Sequence, residues 1–354
     1  MKLDMPKTSF QFIHPVGDHW EKVKKEPYIT GYTEKGTERI PLVSSRLNKG
    51  DRLGIIKVRW GIGRMNYTIA PGLYGIGDPD SRSPVMVTAN YKMTFDRLRQ
   101  DLDGMNAWIL VLDTKGINVW CAAGKGTFGT RELIRQIETT RLKEVVDHHT
   151  LIVPQLGAPG VAAHEVKSAT GFKVKYGPVY SRDIQLFFSK GTTVSPEMRQ
   201  VHFGLKDRAV LIPMELIPAF KYLPVILLLI VAVHLVNGSG FSSAILIDLT
   251  AFIGAIVVGA VLFQILLPWI PFRSFALKGW LLGLVYAAGL NSSGFAVDPL
   301  ANYLMLPPVS AFLALNFTGS TTYTSLSGVQ KEIRYSTPAV VIFLLGGIIL
   351  KILK

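Results

Sequence analysis

Asn118-Val119-Trp120-Cys121-Ala122-Ala123-Gly124-Lys125 is the stretch from which the rest of this 354-residue chain is best interpreted. It contains the only cysteine, so no disulfide can form within the chain. A free cysteine is often a buried, inert residue, but it can also be a metal ligand or a nucleophile. The neighbours favour a ligand or nucleophile, because Gly124, Gly126 and Gly129 follow closely and glycines let a backbone approach a flat ligand.

The residues on either side of this stretch predict its local structure. A hydrophobic run from Ala107 to Asp113 predicts a strand before it, and apolar residues at helical spacing predict a helix after it, with Thr127 or Thr130 as the N-cap. Cys121 is therefore expected at a strand end, just before a helix N-terminus. The helix dipole and the charge of Lys125 would both favour the thiolate there. A thiolate beside a glycine-lined surface suggests a planar cofactor that carries a metal.

The chain from residue 51 to residue 220 alternates between short β-rich runs and helical patterns, which indicates an α/β sheet wrapped by helices. The predicted strands are Ile55–Val58, Val85–Ala89, Trp108–Leu112, Ile117–Trp120, Leu151–Val153 and Val210–Ile212. The predicted helices are Thr94–Leu102, Gly129–Val146 and Gly160–Lys167. Ligands of such sheets bind beyond the carboxyl ends of the strands, which is where Cys121 is expected.

A second loop rich in glycine and proline, Pro154–Gly160, is expected at the same edge of the sheet. It is either a wall of the cofactor site or an ordinary connection between a strand and a helix. The sequence Asp147-His148-His149 begins like a cobalt-ligating D-x-H-x-x-G motif, but residue 152 is isoleucine instead of glycine. We therefore interpret the two histidines as a helix C-terminal cap.

Charge and the first residues bear on location and partners. Six Lys or Arg and three Asp or Glu lie in residues 222–354, so residues 1–221 carry +10 of the formal net charge of +13. Such a surface suits anionic lipid headgroups, an acidic protein or nucleic acid, and the chain has no nucleic-acid-binding motif. Residues 1–50 form a polar N-terminal extension without the apolar core of a signal peptide, so residues 51–220 are expected in the cytoplasm.

Residues 221–354 are much more apolar and predict an all-α transmembrane domain of about five helices. The expected spans are Tyr222–Val236, Ala244–Leu267, Phe275–Leu290, Leu300–Phe317 and Pro338–Ile352. The loops that carry Lys or Arg fall on the side of the N-terminal domain, which predicts a multi-pass protein of the cytoplasmic membrane. Asp248 and His234 lie near span ends and are either transport residues or groups that reach the membrane surface.

The eight-residue stretch resembles the signature N-[V/I]-W-C-A-[A/G]-G-K of the corrinoid protein family of microbial mercury methylation, and every position matches. Asn66–Tyr74 and Thr88–Asp96 resemble the wider corrinoid iron–sulfur protein superfamily. Relatives in the acetyl-CoA pathway typically carry threonine at the position of Cys121. The resemblance covers about residues 55–215 and implies a Rossmann-like α/β corrinoid-binding domain, followed here by the transmembrane bundle.

The resemblance also implies the site. Cys121 would be the catalytic residue and the lower axial ligand of the cobalt, with the corrinoid's own base displaced. The remaining cofactor-binding residues would be Asn118, Val119, Trp120, Ala122, Ala123, Gly124, Lys125, Gly126, Thr127, Gly129, Thr130, Val153, Pro154, Gly157, Ala158 and Gly160. Asn118 and Trp120 have packing as an alternative role, and Lys125 has simple solvation.

The activity implied is transfer of a methyl group from methyl-Co(III) to Hg(II), which gives methylmercury. The chain has no second cysteine for an iron–sulfur cluster, so the implied reductant is a two-cluster [4Fe-4S] ferredoxin, which could also relay mercury. The implied methyl source is a methyltetrahydrofolate-linked donor. Two alternatives stay open: a corrinoid methyl carrier for another acceptor in one-carbon metabolism, and a non-catalytic membrane transporter or receptor.

Overall fold

The structure is a computed structural model, and it describes residues 26–35, 38–321 and 326–353. It divides into two compact units. Of the described residues, unit 1 comprises those within 26–56 and 63–200, and unit 2 comprises those within 57–62 and 201–353. Each unit is described by itself below.

Unit 1 is built on a seven-stranded sheet with the order β1-β2-β3-β5-β4-β6-β7. The strands are β1 Ile29–Lys35, β2 Glu38–Val43, β3 Gly72–Ile76, β4 Val85–Ala89, β5 Ala107–Leu112, β6 Thr150–Val153 and β7 Lys173–Tyr176. Strands β5, β4, β6 and β7 are parallel to one another, whereas β3 is antiparallel to β5 and β2 runs parallel to β3. The expected α/β sheet is therefore present, and it is a mixed sheet.

Short helices connect these strands. They are α1 Lys49–Arg59, α2 Lys92–Asp101, α3 Val119–Lys125, α4 Thr130–Thr139, α5 Leu142–Val145, α6 Ala163–Thr170 and α7 Ile184–Ser189. Every residue of β4 and β5 is buried, as expected for central strands covered on both faces. One hydrophobic core contains Trp108, Phe128 and Phe172, and the other contains Phe95 and Phe187.

A buried ionic cluster joins α1 to α2. Lys92 Nζ lies 2.5 Å from Asp51 Oδ1 and 2.7 Å from Asp96 Oδ2, and Arg99 Nη2 lies 2.7 Å from Asp51 Oδ2. Arg99 Nη1 also donates to the carbonyl oxygen of Ser44 at 2.6 Å. The two acids and two bases balance, so this cluster fixes α1, α2 and the chain before α1 with no unpaired charge.

Several predicted elements are confirmed and three predicted strands are wrong. The strands at Val85–Ala89, Trp108–Leu112 and Leu151–Val153 and the helix near Thr94–Leu102 are present. Ile55–Val58 lies inside α1, because Asn48 and Asp51 form a reciprocal cap that starts a helix, with hydrogen bonds of 2.8 and 3.1 Å.

The other two wrong strands have equally local causes. Ile117–Trp120 follows Gly116, whose φ is 71°, and enters α3 at Val119. Val210–Ile212 leads into a helix that has proline in its first turn.

Two predicted helices have different bounds, and four strands are missed. The helix expected at Gly129–Val146 is interrupted at Arg141, whose φ is 45°. The helix expected at Gly160–Lys167 begins later, as α6. The missed strands include β1 and β2, so the described part of the polar extension pairs with the sheet.

Unit 2 is helical. Its helices are α8 Leu205–Ala209, α9 Ile212–Phe220, α10 Leu223–Val236, α11 Ser243–Val257, α12 Phe263–Leu266, α13 Phe275–Ser292, α14 Pro299–Asn316 and α15 Leu326–Leu353. A π-helical turn at Val258–Leu262 joins α11 to α12. Helical segments are thus present at all five expected spans.

Fewer helices than expected meet the requirements of a membrane span. Within the described ranges, Ser243–Leu266 and Ser327–Leu353 are long and apolar enough to cross a bilayer. A third span is possible if Leu205–Phe220 and Leu223–Val236, which meet at a 44° bend, act as one. The structure confirms a helical C-terminal region with two such helices, and the five-span bundle stays a prediction.

Two glycines bring α13 close to α14. A Cβ on Gly279 would lie 2.7 Å from the Ser310 carbonyl oxygen, and one on Gly283 would lie 2.5 Å from Pro307 Cα. Small residues four positions apart allow the close helix contacts that are common in membrane proteins.

Candidate functional site at the sheet edge

The carboxyl ends of β4, β5 and β6 lie at one edge of the sheet, because these strands are parallel neighbours. The segments that follow them are Asn90–Tyr91, Asp113–Asn118 and Pro154–Ala162. Every predicted site residue belongs to β6, to one of these segments, or to the α3–α4 region that the second segment enters. The edge is therefore the structural basis of the candidate site.

Asn90 holds the segment after β5 in place. Its Oδ1 accepts hydrogen bonds from the backbone N–H groups of Thr114 at 3.1 Å and Gly116 at 3.0 Å, and its Nδ2 donates to Asp113 Oδ1 at 3.2 Å. Lys115 and Gly116 then turn the chain with φ of 58° and 71°. Asn90 thus determines where α3 begins, and it was missed as a site residue although it lies within the Thr88–Asp96 motif.

Cys121 lies in the first turn of α3, and its predicted place at a strand end is wrong. Asn118 is the N-cap of α3, and its side chain accepts a hydrogen bond from the Cys121 backbone N–H at 2.9 Å. The helix that follows the glycines is α4, whose N-cap is Gly129 instead of Thr127 or Thr130. Cys121 is therefore itself part of a short capped helix.

Helix α3 has one buried face and one exposed face. Val119, Ala122 and Ala123 are buried. The exposed residues are Trp120, Cys121, Gly124, Lys125 and the C-cap Gly126. The side chain of Trp120 is 41% exposed. The exposed face thus combines an indole, a free thiol and a bare glycine backbone.

The glycines of the site fall into two groups. A Cβ on Gly124 would meet nothing within 4 Å, so this backbone is open on its outer side. In contrast, a Cβ on Gly157 would lie 2.4 Å from the Phe128 ring, and one on Gly160 would lie 2.1 Å from the Phe128 carbonyl oxygen. Because they lack side chains, Gly157 and Gly160 therefore allow the two loops to lie in close contact, whereas Gly124 faces outward.

Hydrogen bonds join the second loop to the start of α4. The backbone N–H of Thr130 donates to the Gly160 carbonyl oxygen at 3.1 Å, and the Ala162 N–H donates to Thr130 Oγ1 at 2.8 Å. Thr127 Oγ1 donates to the Ala122 carbonyl oxygen at 3.5 Å. Val153 is buried, while Pro154 and Ala158 are half-buried beside them. The structure thus places all the predicted site residues in one connected region.

Glu132 is a second residue that the sequence analysis missed. Its Oε1 accepts a hydrogen bond from the Asp113 backbone N–H at 2.8 Å and another from Gln136 Nε2 at 2.9 Å. It therefore ties α4 to the end of β5. Burial alone would raise the pKa of Asp113, but hydrogen bonds from the side chain and backbone of Lys115 outweigh burial and lower it.

The histidine pair lies away from this site. His148 precedes β6 and so lies at the opposite edge of the sheet from Cys121. Its Nε2 donates to the Ser83 carbonyl oxygen at 2.9 Å, and its Nδ1 accepts from the Thr150 N–H at 3.3 Å. Both ring nitrogens are therefore used within the fold. Their partners are Ser83 and Thr150 and not the last carbonyl groups of α5, so the predicted helix C-terminal cap is wrong for His148.

The exposed face of α3 presents a thiol beside an open stretch of backbone. Cys121 supplies one accessible sulfur, and Gly124 leaves the neighbouring surface free of side chains. In the part of the chain that the structure describes, no group of three or more His, Cys, Asp and Glu side chains could hold a metal ion.

Comparison with known proteins covers this same region. Residues 63–188 match the family model of the CO dehydrogenase/acetyl-CoA synthase delta subunit. The match contains β3 to β6, α3, α4 and both loops.

Curated relatives match about a third of the chain. The acetyl-CoA decarbonylase/synthase complex subunit gamma of Methanopyrus kandleri is 36% identical over 124 residues, which is 34% of this chain and 26% of the relative. The subunit of the same name from Archaeoglobus fulgidus is 35% identical over 124 residues, with the same shares. That from Methanothermobacter thermautotrophicus is 33% identical over 129 residues, which is 36% of this chain and 28% of the relative.

The chain spans about a quarter of the length of the curated relatives it matches. The similarity supports the wider resemblance, to the corrinoid iron–sulfur protein superfamily. The family match ends at residue 188, before the helices that follow Val201 in unit 2, and the similarity does not single out mercury as a substrate.

Proposed function

We propose that residues 51–220 bind a corrinoid and that Cys121 is the lower axial ligand of its cobalt. The observation that carries this proposal is the exposed thiol of Cys121 beside the open backbone of Gly124. The similarity of residues 63–188 to subunits of the acetyl-CoA synthase systems supports the same class of cofactor. A bound corrinoid would supply a cobalt that carries a methyl group and gives it to an acceptor.

The chain's own residues would orient and protect this ligand. Asn118 fixes the backbone of Cys121 through its cap, and Asn90 and Glu132 hold the segment from which α3 starts. Trp120, on the same exposed face, would shield the sulfur from water when the site is filled.

For the acceptor, we propose Hg(II) as the substrate and methylmercury as the product. A thiolate ligand donates electron density through a metal, as it does in thiolate-bound haem proteins. Such a ligand at Cys121 would suit an electrophilic acceptor such as Hg(II), to which a bound corrinoid would supply a methyl group. Cys121 at the position where acetyl-CoA-pathway relatives carry threonine is the feature that favours this acceptor.

The second candidate function is a methyl carrier for another acceptor in one-carbon metabolism. The names of the relatives favour it, because they are subunits of acetyl-CoA decarbonylase/synthase complexes. The two functions share the corrinoid and differ in the need for sulfur at position 121. A variant with threonine there distinguishes them.

The remaining parts of the proposal concern partners and location. We propose a two-cluster [4Fe-4S] ferredoxin as the reductant and possible mercury donor, since the described residues and the sequence offer a single cysteine. The methyl source would be a methyltetrahydrofolate-linked donor. Unit 2 would anchor the protein in the cytoplasmic membrane, with the corrinoid domain on the cytoplasmic side.

The test is methylmercury formation by the full chain, supplied with its reductant, methyl donor and Hg(II). The parent protein is expected to form methylmercury, and Cys121→Thr and Cys121→Ala are expected to lose at least 90% of the rate, which is roughly 1.4 kcal/mol of transition-state stabilisation. Ser189→Thr, a conservative change on α7, serves as the control. Methylmercury formation at the parent rate by both Cys121 variants would reject Hg(II) transfer through the thiolate.

A further inference from the structure

Unit 2 contains a pocket of about 410 Å³ that the proposed function does not use. Helices α9, α10, α11, α14 and α15 line it, almost entirely with aliphatic and aromatic side chains. The volume lies within the range of pockets that bind small molecules. The groups in its wall that titrate are Tyr222, His234, Asp248 and Lys351, and Thr337 adds a hydroxyl.

Three of these groups form a buried cluster. His234 Nε2 donates to Asp248 Oδ2 at 2.9 Å, and Lys351 Nζ makes an ion pair with the same oxygen. His234 and Asp248 are each 3% exposed and Lys351 is 8% exposed. Side chains from α10, α11 and α15 thus meet at one carboxylate, in surroundings that are otherwise apolar.

One hydrogen-bonding atom of the cluster has no partner among the described residues. Because Nε2 of His234 donates to Asp248, Nδ1 of the neutral ring is an acceptor, and it has no partner among the described residues. A buried acceptor without a partner destabilises the fold, and a ligand that donates to it removes that cost. Lys351 Nζ has three N–H donors, so it can donate to a second acceptor besides Asp248.

We propose that this pocket binds a monocarboxylic acid with an apolar tail. The O–H of the acid would donate to His234 Nδ1, its carbonyl oxygen would accept from Lys351 Nζ, and its tail would lie among the apolar side chains. The charges of Lys351 and Asp248 cancel, so the pocket accepts a neutral acid, or equivalently its anion together with one proton. Binding is therefore tighter at low pH, where the acid is protonated.

Other ligand classes complement the cluster less well. A hydrocarbon would leave Nδ1 of His234 without a partner. A cation would meet the ammonium group of Lys351, and an anion without a proton would meet the carboxylate of Asp248. This inference uses residues of unit 2 alone and does not depend on Cys121 or on a corrinoid.

The test uses the full chain in lipid nanodiscs and radiolabelled dodecanoic acid as the probe, with empty nanodiscs to subtract partition into lipid. We expect one equivalent bound at pH 6, weaker binding at pH 8, and no specific binding of methyl dodecanoate, which lacks the acidic proton. His234→Phe should weaken binding by about tenfold, and Val309→Trp should abolish it by filling the pocket.

Leu246→Trp is the matched control, because Leu246 is 63% exposed and lies outside the pocket wall. It should bind the acid as the parent does. Equal binding of the acid and its methyl ester would show a groove for lipid tails only and overturn the proposal. Unchanged binding by Val309→Trp, eluting as a folded protein in size-exclusion chromatography, would overturn it as well.

Discussion

Cys121 is accessible because its two following neighbours are small and buried. Ala122 and Ala123 are 0% and 6% exposed and let α3 lie close against the core. Gly160 packs against the same helix, where a Cβ would come within 3.2 Å of Ala123 Cα. The small side chains of Ala122 and Ala123 therefore pack against the core, while Trp120 and Cys121 lie on the exposed face of α3.

Gly124 offers a test of whether the open face of α3 receives a ligand. Replacing a helical glycine by alanine stabilises a helix by roughly 0.5–1 kcal/mol when space allows, and nothing within 4 Å opposes a Cβ at this position. For Gly124→Ala we therefore expect slower hydrogen exchange in α3 without ligand, together with severalfold weaker cobalamin binding in a titration.

Gly160→Ala is the matched comparison, because its Cβ would lie 2.1 Å from the Phe128 carbonyl oxygen. It should weaken cobalamin binding and also speed hydrogen exchange in both loops. If Gly124→Ala bound cobalamin as tightly as the parent, the open face of α3 would not be the binding surface.

Asn118 offers a second test at the scale of one residue. Loss of an N-cap side chain costs a helix about 1 kcal/mol, and Asn118 Oδ1 caps the Cys121 backbone N–H. Asn118→Ala should therefore give faster hydrogen exchange at the Cys121 amide and weaker cobalamin binding. Asn118→Ser keeps a capping oxygen and should lie close to the parent, and identical exchange in all three proteins would contradict the capping role.

At the scale of elements, the central strands were predictable and the sheet margins were not. Val85–Ala89 and Trp108–Leu112 are continuous apolar runs, as fully buried parallel strands require. β7 alternates between exposed and half-buried residues and is four residues long, so its pattern is weak. The position of β3 between β2 and β5 depends on pairing across the sheet, which no local pattern encodes.

The site shows the same division between local and tertiary information. The motif residues were identifiable because a lone cysteine and dense glycines stand out in any sequence. Their conformation was not predictable from the sequence. Val119 and Trp120 have side chains that favour strands, but the turn at Gly116 and the cap at Asn118 start a helix. The roles of Asn90 and Glu132 arise from contacts between elements distant in sequence.

The ionic cluster between α1 and α2 gives a prediction about pH. Burial alone would raise the pKa of Asp51, but hydrogen bonds and charge from Lys92 and Arg99 outweigh burial and lower it. A carboxyl whose pKa is lower in the folded state stabilises the fold above its unfolded pKa, near 3.9, and this contribution is lost as pH falls through the folded pKa.

Asp51→Asn should therefore destabilise the contact between α1 and α2 by about 3 kcal/mol at pH 7, because Lys92 and Arg99 keep their buried charges. The difference from the parent should shrink below about pH 4. Hydrogen exchange of peptides from α1 and α2 measures it, and Asp78→Asn, at an exposed aspartate, is the control. If the difference in hydrogen exchange between Asp51→Asn and the parent stayed constant from pH 7 to pH 3, the lowered pKa of Asp51 would be contradicted.

At the scale of the whole molecule, labelling of the single cysteine tests the membrane orientation that we propose. Cys121 is exposed and is the only thiol of the chain, so a maleimide that cannot cross membranes labels one known position. We expect labelling in inverted vesicles and none in intact right-side-out vesicles, with Cys121→Ala unlabelled in both. Labelling of intact right-side-out vesicles would place the site outside the cytoplasm.

The bond between the Cys121 sulfur and cobalt is the centre of the account, and X-ray absorption at the cobalt edge measures it most directly. For the full chain loaded with cobalamin, we predict one sulfur scatterer in the first coordination sphere of cobalt, absent in Cys121→Ala. A cobalt surrounded by nitrogen and oxygen alone in the loaded parent protein, with spectra identical to those of the variant, would contradict it.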